Sequence, residues 1–246
     1  MLEIDPTYSH SDLPNHWCDG LDPNYHLNKT QFASDSGYRC IHVFDWDDLD
    51  RIANLLVSQS SIHARKCRLE KISENIAHHF LAKYHIQGSA RGAKYCYGLY
   101  SFNDELISVM TFGTPRYNRN YQWELLRLCS LPRIRVVGGA SRMMQAFVKE
   151  VDPESIISYC DRAKFTGDVY YKLGFTLHHV SPPAKVWSKG QEHITDNLLR
   201  QRGFDQLFNA NYGKGTSNEE LIVKAGWRSV YDCGQLVFEW RNAKSL

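Results

Sequence analysis

Two carboxylates, Glu3 and Asp5, stand at i and i+2 near the start of the chain, and His10 follows closely. On a strand that spacing puts both on one face, where they can share a divalent cation; the same pair also reads as solvated charge in a polar segment. Tyr84, His85, Ile86, Gln87 and Gly88 mark a helix-to-strand junction. At such a loop mouth His85 and Gln87 either touch a substrate base or cofactor, or His85 caps the helix with Gly88 in a left-handed turn. Basic and aromatic residues interleave at Arg91, Lys94, Tyr95 and Tyr97, and again at Arg116, Tyr117, Arg119, Tyr121 and Trp123. That mixture supplies phosphate contacts and stacking faces for nucleic acid, and it also occurs in ordinary surface hairpins. Arg127 extends the basic set. Arg200, Arg202, Lys214 and Lys224 surround two short predicted helices near the C-terminus, either as a DNA clamp or as a cover for a sheet edge.

These residues need a scaffold, and composition bounds it. A chain of 246 residues with 43% hydrophobic and 13% aromatic content can bury one sizeable core or two small ones. Its net charge of +2 leaves any nucleic-acid surface to local clustering. Seven cysteines without a C-x-x-C pair fit reduced thiols and a cytoplasmic location. No stretch approaches the roughly 20 apolar residues of a membrane helix, and the start has neither a basic n-region nor an apolar run.

The elements fall into three blocks: 1–60, 61–188 and 189–246. The first holds a short strand over 2–4, a polar loop, a helix over 27–36, the apolar strand RCIHVF and a helix over 49–57. A serine-rich break at 58–61 ends it. The second begins with a strand over 63–71 and a helix over 73–84 that Ser73 can cap. A hairpin of strands 94–102 and 105–112 follows, turning at Asn103-Asp104. The third has helices over 195–202 and 218–225, a Gly/Asn-rich loop at 209–217 and a closing strand at 236–240. The fold class is α/β, mixed with α+β character.

Residues 121–175 read as strand, glycine-rich turn, amphipathic helix, strand and short helix. Arg135, Val136, Val137, Gly138, Gly139 and Ala140 match the R/Q-x-x-G-x-G/A turn, and Tyr170 to Phe175 the closing Y-x-x-x-G-F, of the GNAT acyltransferase fold. The second block therefore resembles a GNAT-like domain. In that fold the turn and the following helix N-terminus cradle a pyrophosphate. The resemblance assigns an acyl-CoA cradle to Arg135, Gly138, Gly139, Ala140 and Ser141, a candidate base to Glu124, and the proton-donating tyrosine to Tyr170. Ala163 replaces the asparagine common seven residues before that tyrosine. Either acyl-CoA chemistry is kept, or the turn binds a DNA phosphate on a retained fold.

LEIDPTYSH, YHLNKTQFASDSGYRCIHVFDWDD, HARKCRLEKIS, YHIQG and VYDCGQLVFEW together resemble phage and mobile-element proteins described as homing-endonuclease-like, or Hef-like. In that family a PD-(D/E)XK nuclease, related in fold to the very-short-patch-repair endonucleases, precedes a GNAT-like domain. The resemblance implies a partial nuclease segment over 1–60, a GNAT-like domain over 61–188 and a helical extension with a closing strand over 189–246. It makes Glu3 and Asp5 ligands of Mg²⁺, with His10 orienting or protonating at the scissile phosphate. Lys29 either neutralises a phosphate there or is an exposed helix lysine. Double-stranded DNA is the implied partner, with His85, Gln87, Arg116, Arg119, Arg127 and Arg200 as its contacts. The pattern requires a metal-binding Asp upstream of Glu3 and none precedes it. Either Asp45, Asp47 or Asp48 substitutes, or the nuclease is truncated. The expected activity is metal-dependent phosphodiester hydrolysis. The alternatives are an acyl-CoA-dependent nucleobase-modifying transferase of the Mom type and a catalytically silent DNA-binding remnant.

Overall fold

The computed structural model describes residues 1–16, 18–202 and 218–242, which divide into two compact units. Unit 1 comprises Met1–Asp47, Asp161–Thr166 and Val180–Leu236; unit 2 comprises Asp48–Cys160, Gly167–His179 and Val237–Leu246.

In unit 1, β1 (Leu2–Asp5) runs parallel to β2 (Ile41–Phe44), in register from Leu2 opposite Ile41 to Asp5 opposite Phe44. Every β2 residue is buried, which explains why IHVF reads as apolar without clean alternation. Helices α1 (Thr7–His10) and α2 (Tyr25–Asp35) lie between the two strands in sequence. An antiparallel sheet sets β11 (Lys185–Lys189) between β12 (Glu192–Thr195) and β13 (Arg228–Tyr231), accompanied by α7 (Asp196–Arg202) and α8 (Asn218–Lys224). Phe44 packs in one apolar cluster with Ala163, Val230 and Cys233, while Leu13 lies against another built on Trp187, Ile194, Leu199 and Ile222. The N-terminal strands thus take their core from the C-terminal sheet. The expected truncated nuclease-like segment with a separate helical extension is corrected accordingly. The Gly/Asn-rich loop at 209–217, with Lys214, lies outside the described residues.

Unit 2 is a sheet with helices on both faces. Its strand order is β10-β14-β9-β7-β6-β5-β4. β4 (Arg68–Lys71), β5 (Ala93–Tyr100), β6 (Leu106–Gly113) and β7 (Trp123–Ser130) pair antiparallel in succession; β9 (Ser155–Asp161) joins β7 in parallel. β14 (Gln235–Arg241) lies inside the sheet, between β9 and β10 (Thr176–Val180). Ser73 caps α4 (Glu74–Tyr84), its Oγ accepting from the Ile76 N–H at 3.3 Å. One face of α4, Ala77, Phe80 and Leu81, packs on Cys96 and Val109. Phe147 of α5 (Gly139–Val151) stacks on Phe112 and meets Tyr97 edge-on. Cys96 and Tyr97 are neighbours on a strand and point to opposite faces, so α4 and α5 cover opposite sides. Two further helices, α3 (Leu49–Leu56) and α6 (Asp168–Lys172), and a short parallel pair of β3 (Ser60–His63) with β8 (Ile134–Val137) complete the unit.

Candidate functional site

In unit 2 the parallel pairing of β7 with β9 covers Trp123–Ile156 and Glu124–Ile157 and stops there, although both strands continue. The cause is in β7. Thr111 pairs with Arg127 and Phe112 with Leu125, so Leu126 is an extra residue. A bulge bends its strand and sharpens the local twist, and β7 turns away from β9 at this point. At the fork the Ser158 hydroxyl donates to the Leu125 carbonyl at 2.9 Å and shares a 3.1 Å hydrogen bond with the phenol of Tyr170. The Tyr170 ring stacks on Phe238 and meets Phe175 edge-on. Burial pushes the phenol up to about 12, so it keeps its proton at neutral pH.

The bulge also brings Glu124 and Arg127 into one electrostatic neighbourhood. Glu124 is buried and accepts from the Arg116 backbone N–H at 2.8 Å and from its guanidinium at 3.0 and 2.5 Å. The expected base is therefore already engaged. Arg127 donates to the Gly88 carbonyl at 3.2 Å and the Leu126 carbonyl at 2.8 Å. Among the described residues no carboxylate forms an ion pair with it. Burial, then the Arg116 charge, lowers its affinity for a proton. The His85 Nδ1 accepts from the Gln87 N–H at 3.0 Å, which leaves the proton of the neutral ring on Nε2. Burial, with Arg127 and Arg51 adding to it, pushes His85 down to about 3.

A cleft of about 600 Å³ opens at the start of α5, lined by His63, Ala64, Arg65, Val137, Gly138, Ser141, Arg142 and Gln145. Gly138 caps the helix at φ +77°, a conformation that favours glycine. The first intrahelical bond runs from the Arg142 N–H to the Gly138 carbonyl at 3.0 Å, so the N–H groups of Gly139, Ala140 and Ser141 precede it and suit an anion. The Arg142 guanidinium holds the opposite wall through the carbonyls of Ala64 and Cys67. Of the residues expected in a cofactor cradle, Gly138 and Ser141 line the cleft, Gly139 is buried behind it and Arg135 points outward from β8. Sequence reasoning missed Arg65 and Arg142, which no glycine pattern marks.

The residues expected to form a nuclease site are all in unit 1, and they separate. The Lys29 ammonium binds Glu3. Burial lowers the Lys29 pKa, but the hydrogen bonds to Glu3 and Tyr25 outweigh it and raise the group above its ordinary value. Asp5 is fully buried and faces the imidazoles of His10, His26 and His42. Glu3 and Asp5 therefore share no cation, and a nitrogen-rich pocket is wrong for Mg²⁺, which wants an octahedron of oxygens. The substitutes are engaged as well. Asp45 accepts from the Thr7 N–H at 2.9 Å, Asp47 from Lys164 at 2.5 Å, and Asp48 caps α3.

The expected DNA contacts do not make a basic face either. Arg116 is exposed but paired with Glu124, Arg127 is held by backbone carbonyls, His85 is neutral, and Arg200, in unit 1, pairs with Asp196 at 2.7 Å. Arg119 and Gln87 are exposed in unit 2. Double-stranded DNA as partner is corrected on that ground.

No protein-family model matches the chain, and no curated protein does. Solved structures similar to it are acetyltransferases. A Bacillus subtilis acetyltransferase in complex with CoA is 13% identical, covering 72% of this chain and 99% of its own, with a TM-score of 0.41. Nourseothricin acetyltransferase is 11% identical over 72% of this chain and 98% of its own, at 0.40. A GNAT family acetyltransferase from Elizabethkingia anophelis with acetyl-CoA bound is 10% identical over 72% and 99%, at 0.37. The resemblance to phage homing-endonuclease-like proteins is corrected with the nuclease site, and the phage and mobile-element origin goes with it. No helix among the described residues is long and apolar enough to cross a membrane.

Proposed function

We propose that unit 2 transfers an acyl group from an acyl-CoA thioester to an amine. The observation that carries this reading is the fork between β7 and β9, with the Ser158–Tyr170 pair in its angle. Two diverging strands expose backbone groups that a narrow pantetheine-like chain can pair with. The cleft at the start of α5 suits the other end of such a ligand. There the N–H groups of Gly139, Ala140 and Ser141, the helix dipole and the exposed Arg65 all favour a pyrophosphate. Ala140 and Tyr170 keep the assignments that the glycine turn and the tyrosine motif suggest, while Arg65 and Arg142, not Arg135, supply the basic side chains of the cleft.

Acyl-CoA would supply the activated acyl group as a thioester. Tyr170 supplies the proton that a departing thiolate needs, and its raised pKa keeps that proton available throughout the neutral range. Ser158 orients the phenol. Glu124 serves to hold Arg116 in place, and the proton shed by the amine leaves to solvent. Arg127, a largely buried cation with carbonyl partners, favours an acceptor that carries a negative group.

The test is thiol release from acetyl-CoA in the presence of a panel of amines, with and without a carboxylate. Amine-dependent release that falls on the order of 100-fold in Tyr170→Phe supports the reading. Background hydrolysis only, unchanged by any amine or by Tyr170→Phe, overturns it.

A further inference from the structure

Unit 1 contains a cluster that acyl transfer does not use. Asp5 ends β1 with its side chain fully buried, and its two oxygens are treated differently. Oδ2 accepts from the His42 Nδ1–H at 2.8 Å, and the other nitrogen of that ring meets the Thr30 hydroxyl at 2.9 Å. Oδ1 has no hydrogen-bond partner. Neither has the Nε2 of His26, whose side chain is 2% exposed. The two orphaned atoms face each other at 3.5 Å, and the Nε2 of His10 lies 3.4 Å from the same oxygen. Leaving buried lone pairs of this kind unsatisfied is costly, and folded chains rarely do it without a ligand to receive them.

The outer partners decide which nitrogen of each ring is available. His26 Nδ1 lies 2.7 Å from the Tyr231 carbonyl, which only accepts, so that nitrogen carries the proton and Nε2 presents a lone pair. His10 Nδ1 lies 3.3 Å from the Pro6 carbonyl and 3.1 Å from the Ser9 hydroxyl, which itself donates to that carbonyl, so a proton on Nδ1 suits both partners and leaves the Nε2 lone pair for a ligand. The His42 ring holds the carboxylate from behind. Ligating imidazoles and carboxylates are oriented in this way at metal centres.

The separations agree with coordination rather than hydrogen bonding. At 3.4 and 3.5 Å the contacts to Oδ1 exceed ordinary N–H···O lengths. Ligands bound tetrahedrally at about 2.0–2.1 Å stand about 3.3–3.4 Å apart, the edge of the tetrahedron. The three donor atoms all lie within 4.8 Å of one another.

We propose that Asp5, His10 and His26 hold a divalent first-row transition-metal ion, with zinc the preferred occupant. Two imidazole nitrogens and one carboxylate oxygen suit zinc and its neighbours and discriminate against magnesium. Three protein ligands leave a fourth position. Among the three, His10 alone has side-chain exposure worth noting, 15%, so water or an exogenous ligand enters on its side.

The test uses the full chain, stripped with chelator and titrated calorimetrically with Zn²⁺, and with Mg²⁺ in parallel. Co²⁺ absorption reports the ligand geometry. Expected are one zinc per chain, a rise in melting temperature with zinc, no response to magnesium, and visible Co²⁺ bands of tetrahedral intensity. His10→Ala, at the rim, leaves the circular dichroism unchanged and weakens zinc binding by more than the roughly 10- to 100-fold that loss of an outer-shell partner costs. Asp5→Asn abolishes binding, and where it fails to fold, His10→Ala decides. Zinc that binds without fixed stoichiometry, or as tightly to His10→Ala as to the parent, is an adventitious ion only and overturns the proposal.

Discussion

Ser158 and Tyr170 meet at 3.1 Å where β7 and β9 part, and the same Ser158 hydroxyl reaches back to the Leu125 carbonyl across the gap. The phenol is thereby tied to the strand whose bend opens the fork. In the acyl-transfer account the two residues act as a unit. Ser158→Ala should lower kcat by about 3- to 10-fold, and the double variant with Tyr170→Phe should be no slower than Tyr170→Phe alone. Multiplicative losses in steady-state kinetics would mean that Ser158 acts independently of the phenol.

Arg127 makes its two hydrogen bonds to carbonyls and is available to an acceptor carboxylate. Arg127→Met keeps the volume and removes the charge. It should raise KM for carboxylate-bearing amines by about 10- to 100-fold, the worth of one charge-assisted hydrogen bond, while KM for acetyl-CoA stays the same. An equal rise for neutral amines would count against an anionic acceptor.

Gly139 is required by proximity. A Cβ there would lie 2.9 Å from Val136 Cγ1 and 3.1 Å from Leu99 Cδ1. Gly139→Val should cost about 1–3 kcal/mol by forcing the helix off its strand, read as a lower midpoint in urea. An unchanged midpoint would show that α5 has room to shift.

These glycines were legible because backbone geometry leaves a residue type behind: a left-handed turn and a close approach each select glycine. Ser73 was legible for a similar reason, since a cap needs a short side chain with an accepting oxygen at one position. The Leu126 bulge left no such mark, because any residue can be the extra one in a strand. The strand expected over 63–71 is instead β3, a 3-10 turn at Ala64–Lys66 and β4, two strands with different partners. Local apolar pattern cannot separate them. Glu3 and Asp5 share a strand face as their spacing implied, but the partners that decide their chemistry, Lys29, His26 and His42, come from 21 to 37 positions away in sequence. Such long-range pairing is set by packing, which is why the carboxylates suggested a shared cation that the fold does not form.

His85 predicts a pH dependence. Its pKa is lowered from 6.5 to about 3 by burial and by the nearby arginines, so the unfolded chain binds a proton that the folded chain refuses. Between those values stability must fall as pH falls, and above about 6.5 His85 has no effect. His85→Asn keeps an acceptor for the Gln87 N–H and does not titrate. Thermal melts from pH 7.5 to 4.5 should show a shallower acid loss for the variant. Parallel curves would place the titration elsewhere.

The central claim is tested most directly by titrating CoA into the full chain, beside Gly138→Trp. The account predicts one CoA per chain and an affinity at least about tenfold weaker in the variant, whose side chain would occupy the pyrophosphate turn. Inorganic pyrophosphate should compete with CoA for the parent. No heat and no thermal shift with CoA at millimolar concentration, in a parent chain shown by circular dichroism to be folded, would contradict it.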